Sequence, residues 1–280
     1  MTKILDGKIV AEKINADSAI LVKKLTEKSV TPKLVIVIGT NNKSLLSYVK
    51  GLSKQAEKIG ILAEIIEVSE TSTNKYEEIL NKLSSDPSVH GIILQTPLPD
   101  SVDAAALSAL VPVDKDVDGI NPASAGRLLA NEKSFAPATA EAVITMLDYY
   151  NIGLSGKNVA VLGRSMIVGK PVASLLINRD ATATICHSKT QNLSEITKKA
   201  DILVVAIGRA NLVNADYVSR GQVIVDVGIN FNEDGKIVGD VDFNNVEAMT
   251  SAISPVPGGV GPVTAALLLK HTCEAALSTL

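Results

Sequence analysis

Short runs of aliphatic and β-branched residues alternate along the chain with longer stretches whose apolar positions recur every three to four residues. Leu34-Val35-Ile36-Val37-Ile38-Gly39 carries no polar side chain and predicts a strand buried on both faces. Helical spacing follows from about Ser44 to Ile59, then a strand over Ile61 to Ile66 and a helix over Lys75 to Leu83. A third strand, Gly91 to Leu94, runs into Gln95-Thr96-Pro97-Leu98-Pro99, where two prolines end regular structure. A helix over Lys8 to Leu25 precedes this series, and one over Thr139 to Tyr150 leads out of it. The second series has strands at Asn158 to Gly163, Thr182 to Cys186, Ile202 to Ala206 and Val223 to Val227. A helix over Gly169 to Asn178 follows the first of them, and Val263 to Leu280 forms a last helix. Such alternation predicts an α/β fold in two parts, each a largely parallel sheet flanked by helices.

Composition narrows the function classes. The 280 residues suit about two domains. With 27 Lys+Arg against 30 Asp+Glu, the net charge of −3 excludes a polycation drawn to nucleic acid. At 3% aromatic content and no Trp, a base-stacking platform is excluded too. No apolar run is long enough to span a bilayer, and the amino terminus lacks the apolar stretch of a signal peptide, so a cytoplasmic protein is expected. Two cysteines, Cys186 and Cys273, are too few for a disulfide framework. His90, His187 and His271 are scattered, form no metal-ligand pattern, and are expected to be isolated surface or edge histidines.

One junction carries chemistry. Gly163-Arg164-Ser165-Met166-Ile167-Val168-Gly169-Lys170-Pro171 lies between a predicted strand and a predicted helix. Small residues there let backbone N–H groups approach a phosphate at a helix N-terminus. The spacing departs from G-x-G-x-x-G, since Ser165 takes the second glycine's place and Gly169 comes one residue late. An ordinary strand-to-helix turn remains the plain alternative. After the next strand, Cys186-His187-Ser188-Lys189-Thr190 contains no acid to hold a ribose 2′-hydroxyl. Ser188, Arg164 and Lys189 suit an added 2′-phosphate instead, which favours NADP over NAD; for Lys189 a solvated surface position is the alternative.

Four blocks now carry a resemblance. Lys115-Asp116-Val117-Asp118-Gly119, the Gly163 to Pro171 turn, Gly239-Asp240-Val241-Asp242-Phe243 and Pro255-Val256-Pro257-Gly258-Gly259-Val260-Gly261-Pro262-Val263-Thr264 occur in this order. Over essentially its whole length the chain resembles the bifunctional methylenetetrahydrofolate dehydrogenase/methenyltetrahydrofolate cyclohydrolase family. The resemblance implies a folate-binding catalytic domain (residues 1–138 and 263–280), a Rossmann-like NADP-binding domain (139–262), a cleft between them and a homodimer. It implies oxidation of 5,10-methylenetetrahydrofolate by NADP and hydrolysis of the methenyl product to 10-formyltetrahydrofolate. Matching residues carry over the family roles. Tyr48 would pack on the folate rings, Gln95 would stand beside the one-carbon unit, and Asp118 would hydrogen-bond the pterin. Pro257, Gly258, Gly259, Val260 and Gly261 would border the folate. Gly163, Arg164, Ser165, Ser188 and Ile229 would contact the cofactor.

The chain departs from the family at one telling place. The family pairs its tyrosine with a lysine four residues on, the group most closely tied to the hydrolytic step, and here that position is Leu52. Lys50 and Lys54 lie about 200° and 240° around the helix from Tyr48, off its face. Two smaller changes are Pro137-Ala138-Thr139-Ala140-Glu141-Ala142, where Thr139 is expected to cap the following helix, and Thr96 in the loop after Gln95. Three readings follow: a dehydrogenase with an impaired hydrolytic half, a relative that only binds folate or dinucleotide, and an NADP oxidoreductase for another small substrate. The Pro255 to Thr264 block argues against the last.

Overall fold

The most apolar runs, Leu34 to Ile38, Gly91 to Leu94 and Ile202 to Val205, fold as strands buried along their whole length, as their composition demands. The computed structural model describes residues 1–39 and 42–280. In chain order the elements begin β1 (Lys3–Ile4), α1 (Gly7–Thr26), β2 (Lys33–Ile38), α2 (Lys43–Ile59), β3 (Leu62–Glu67), α3 (Thr73–Ser85) and β4 (Gly91–Gln95). Two short helices, α4 (Ala104–Ser108) and α5 (Pro122–Leu129), precede α6 (Ala138–Tyr149). Then come β5 (Asn158–Leu162), α7 (Gly169–Ile177), β6 (Thr182–Cys186), α8 (Leu193–Lys199), β7 (Ile202–Val205) and β8 (Val223–Asp226). The hairpin β9 (Asn230–Phe231) and β10 (Ile237–Val238), α9 (Phe243–Val246), β11 (Ala252–Ile253) and α10 (Val260–Leu277) complete the chain.

These elements make two compact units. One comprises Lys13–Ala138 with Ala265–Leu280, the other Met1–Glu12 with Thr139–Thr264. The C-terminal helix thus gives most of its length to the first unit, a placement that periodicity alone could not show. Residues 1–12, expected with the folate-side domain, group with the second unit because β1 pairs in parallel with β11 (Lys3 with Ala252, Ile4 with Ile253).

In the first unit the sheet order is β3-β2-β4, all parallel. Its core packs Val35, Val37, Ile92 and Leu94 against Tyr76 and Leu80 of α3 and Leu107 of α4. The chain winds from β2 to β3 on one side and then to β4 on the other, so the order reverses beside β2. That brings Ile38 and Gln95 level at the carboxyl ends of adjacent strands. In the second unit the parallel sheet runs β1-β11-β8-β7-β5-β6 and reverses between β5 and β7. Ala160, Leu162, Leu203, Val205 and Ile224 line its core. Crevices outside the carboxyl ends of strands at such reversals are where open α/β sheets bind ligands. No helix among the described residues is long and apolar enough to cross a membrane.

Candidate functional site

In the first unit the Lys115–Gly119 turn sorts its side chains by task. Lys115 Nζ donates to the carbonyls of Leu83 (3.2 Å), Ser84 (2.9 Å) and Asp86 (2.7 Å), satisfying acceptors at the C-terminal end of α3. Asp116 is fully buried and accepts from the N–H groups of Ile120 and Asn121 (2.9 Å each) and from Ser124 Oγ (2.6 Å). Val117 is buried, and its carbonyl lies 2.8 Å from His271 Nδ1 on α10. A carbonyl only accepts, so Nδ1 carries the proton. Asp118 takes the N–H of Ala138, the first residue of α6.

Asp118 is therefore held at the head of α6 yet electrostatically uncomfortable. Burial first, and the Asp116 charge second, push its carboxyl up to about 7, against the pull of the Ala138 N–H and the attraction of His271. Tyr48 on α2 feels this group. Its residue is 39% exposed, but its hydroxyl is recessed: desolvation, followed by the Asp118 charge, raises it well above the ordinary tyrosine range. The structure thus brings Tyr48 and Asp118 into one electrostatic neighbourhood. Gln95, at the end of β4, is half-buried and donates through Nε2 to the Thr96 carbonyl (3.0 Å). No direct hydrogen bond among the described residues joins it to Tyr48 or Asp118.

Leu52 is 2% exposed, one helical turn beyond Tyr48, whereas Lys50 and Lys54 are exposed. The face that bears Tyr48 continues inward as hydrocarbon, and neither neighbouring lysine is turned toward it.

Three local expectations need correction. His271 is 2% exposed, with its ring 4.9 Å from that of Phe135, because α10 packs beneath the Val117 turn. His90 is also buried and accepts the Lys33 N–H at Nδ1 (3.1 Å), so two of the three histidines are interior groups. Thr139 does not cap α6; the helix begins at Ala138, and the carboxylate of Asp118 meets its first N–H from a distance in sequence. Sequence spacing held no signal for His271, since its partner lies 154 residues away.

The second unit holds the other candidate residues. Gly163 leaves β5 with φ +120°, and a Cβ there would strike the Ala206 carbonyl after β7. A Cβ on Gly169 would likewise strike the Gly163 carbonyl, so only glycine closes this turn. Ser165 Oγ accepts from the N–H groups of Val168 (3.1 Å) and Gly169 (3.4 Å), shaping the start of α7. Arg164 and Ser188 are exposed, the latter on the loop after β6, and Ile229, 63% exposed, lies between β8 and β9. The backbone-lined turn at a helix start, without an acid after β6, fits a phosphorylated dinucleotide. Of Pro257 to Gly261, only the first three residues form a loop, since α10 starts at Val260. That loop is fixed to the start of α1 by the Gly7 N–H donating to the Gly258 carbonyl (2.8 Å). Among the described residues no cluster of His, Cys, Asp or Glu is placed to hold a metal ion.

Comparison with known proteins identifies the lineage. Residues 5–118 match the family model of the tetrahydrofolate dehydrogenase/cyclohydrolase catalytic domain, and residues 137–280 match that of its NAD(P)-binding domain. A bifunctional FolD protein of Saccharopolyspora erythraea is 47% identical over 276 residues, covering 98% of this chain and 94% of that protein. The crystal structure of the bifunctional FolD dehydrogenase/cyclohydrolase of Campylobacter jejuni superposes with a TM-score of 0.98 at 39% identity, covering both chains completely. The Trypanosoma brucei enzyme, solved with NADP cofactor and inhibitor, gives a TM-score of 0.94 at 33% identity over 99% of this chain and 98% of its own. With both halves matched in order, the chain belongs to the tetrahydrofolate dehydrogenase/cyclohydrolase family.

Proposed function

We propose that the protein oxidises 5,10-methylenetetrahydrofolate to the methenyl form with NADP, and that its hydrolytic half is impaired. The observation that carries this reading is the pairing of an intact Tyr48–Asp118 neighbourhood with a buried leucine at the adjoining helical position. Asp118, once ionised, accepts from the amino and N–H donors of the pterin. Tyr48 lays its exposed ring against the folate and keeps its hydroxyl protonated. Gln95, tethered at the end of β4, orients the one-carbon unit.

NADP, when bound, accepts the hydride released as the methylene carbon becomes the methenyl cation. On the cofactor side, Gly163 and Ser165 supply the close-approach turn, the exposed Arg164 and Ser188 would hold the added phosphate, and Ile229 would offer an apolar contact. Oxidation asks the protein for alignment and tolerance of a cation. Hydrolysis also asks for water activation and collapse of a tetrahedral intermediate, steps in which an amine contributes and Leu52 cannot.

The protein works as a cytoplasmic homodimer in this reading. Strand β6 ends its sheet with an open hydrogen-bonding edge and an exposed Ile185, a surface suited to pairing with a second copy. Two assays test the function. With methylenetetrahydrofolate and NADP the protein should form NADPH; with methenyltetrahydrofolate alone it should barely exceed the spontaneous hydrolysis rate. Absence of NADPH overturns the dehydrogenase, and hydrolysis as fast as oxidation overturns the role given to Leu52.

A further inference from the structure

The Gly239-Asp240-Val241 block has no part in the reaction as described, yet it centres on the most heavily hydrogen-bonded carboxylate in the second unit. Asp240 is fully buried. Its Oδ2 accepts from the N–H groups of Ile207 (2.7 Å) and Gly208 (3.0 Å), and its Oδ1 from Arg209 N–H (2.7 Å) and Asn230 Nδ2 (2.9 Å). Three consecutive backbone donors, with Gly208 at φ +66°, form the kind of concavity that ordinarily receives an anion. Here the protein's own side chain fills it.

A second carboxylate locks the first. Asp226, at the end of β8, accepts from the N–H groups of Gly228 (2.9 Å), Asp240 (3.2 Å) and Val241 (2.9 Å). The glycines make this nesting possible. A Cβ on Gly228 would collide with the Asp240 carboxyl, and one on Gly239 with the Asp226 carboxyl. Both loops so held, 207–209 after β7 and 228–230 after β8, leave the carboxyl ends of their strands. The first stands across the sheet reversal from Gly163, whose turn approaches the Ala206 carbonyl.

We infer that Asp240 is a positioning residue for the dinucleotide. It fixes the Ile207–Arg209 lip opposite the Gly163–Ser165 turn and, through Asn230, the segment bearing Ile229, so that the crevice is formed before the cofactor arrives. This rests on the reading that the β5/β7 crevice takes NADP. Because each donor is an N–H, an amide in place of the carboxylate turns one acceptor into a donor facing donors. The fault then falls on the lip and not on any group that touches folate.

Asp240→Asn should raise the KM for NADP about 10- to 100-fold, while kcat at saturating NADP and the KM for methylenetetrahydrofolate stay within about threefold. The variant should also lose the thermal stabilisation that NADP gives the parent protein. Should Asp240→Asn not fold, Asn230→Ala removes one bond and leaves the three backbone donors; it should raise the NADP KM about threefold, and faster amide exchange at residues 207–209 should accompany the change. An unchanged NADP KM in whichever variant folds, or an equal rise for NADP and folate, overturns the positioning role. If the parent protein shows no NADP binding, the cofactor assignment itself fails.

Discussion

Asp118, in the Lys115–Gly119 turn of one unit, and Asp240, against the loop that follows β7 in the other, are two recessed carboxylates treated in opposite ways. Asp240 is met by four donors and tied to a partner carboxylate that backbone groups also satisfy. Asp118 is desolvated, lies near the like charge of Asp116, and is raised to about 7 although it takes the Ala138 N–H. A carboxylate whose lone pairs are filled by the backbone shapes the structure. One left short of donors holds free energy that a ligand with N–H groups can release, at some cost to stability beforehand.

The sharpest way to break this contrast is to neutralise the Asp118 charge. Asp118→Asn should lower kcat/KM for methylenetetrahydrofolate about 100-fold in a steady-state assay. It should nevertheless stabilise the protein, whereas Asp240→Asn destabilises it. The sign follows from linkage. With a folded value near 7 against an ordinary 3.8, Asp118 holds a proton in the native state that the unfolded chain has already released. Native stability therefore falls as pH rises through that window. The gain from Asp118→Asn should be absent below about pH 4, grow toward pH 7 and level off at about 1–3 kcal/mol, read from denaturant melts across pH. Asp116, Tyr48 and His271, the titratable groups coupled to it, remain in the variant.

Leu52→Lys asks whether the first unit lacks only an amine. Methenyl hydrolysis should rise about 10- to 100-fold over the parent, and no rise would place the deficit elsewhere. On the other side, Arg164→Ala should raise the KM for NADP about tenfold and that for NAD much less; equal losses would assign Arg164 to the shared pyrophosphate. The smallest effect is expected from His271→Ala, which frees the Val117 carbonyl and loosens the turn beneath Asp118. The folate KM should rise about threefold with the NADP KM unchanged.

Much of the fold is legible in the pattern of apolar residues, because a strand such as Leu34 to Ile38 is buried along its whole length and a helix such as α2 repeats its burial every turn. The two-residue strands β1 and β11 are not, since so short a run has no period and acquires its meaning from a partner about 250 residues away. Helix α10 starts three residues ahead of its apolar pattern because Pro262, near the N-terminus, interrupts the sequence signal but not the helix. Asp118 lies in a family block, whereas Tyr48 and Gln95 are legible only as single residues that match the family pattern. Their chemistry is not visible in the same way, because the shift of Asp118 depends first on its desolvation in the folded chain, then on the Asp116 charge, and is opposed by a histidine from the far end of the chain. Residue types announce a site, and the donors around them decide what it does.

The most direct test is a single turnover with enzyme in excess over methylenetetrahydrofolate and NADP saturating, following NADPH and the methenyl chromophore together. Methenyltetrahydrofolate should accumulate in step with NADPH and then decay only at the buffer's own rate. NADPH formation with no methenyl accumulation would show that water is activated without the missing amine, and would contradict an impaired hydrolytic half.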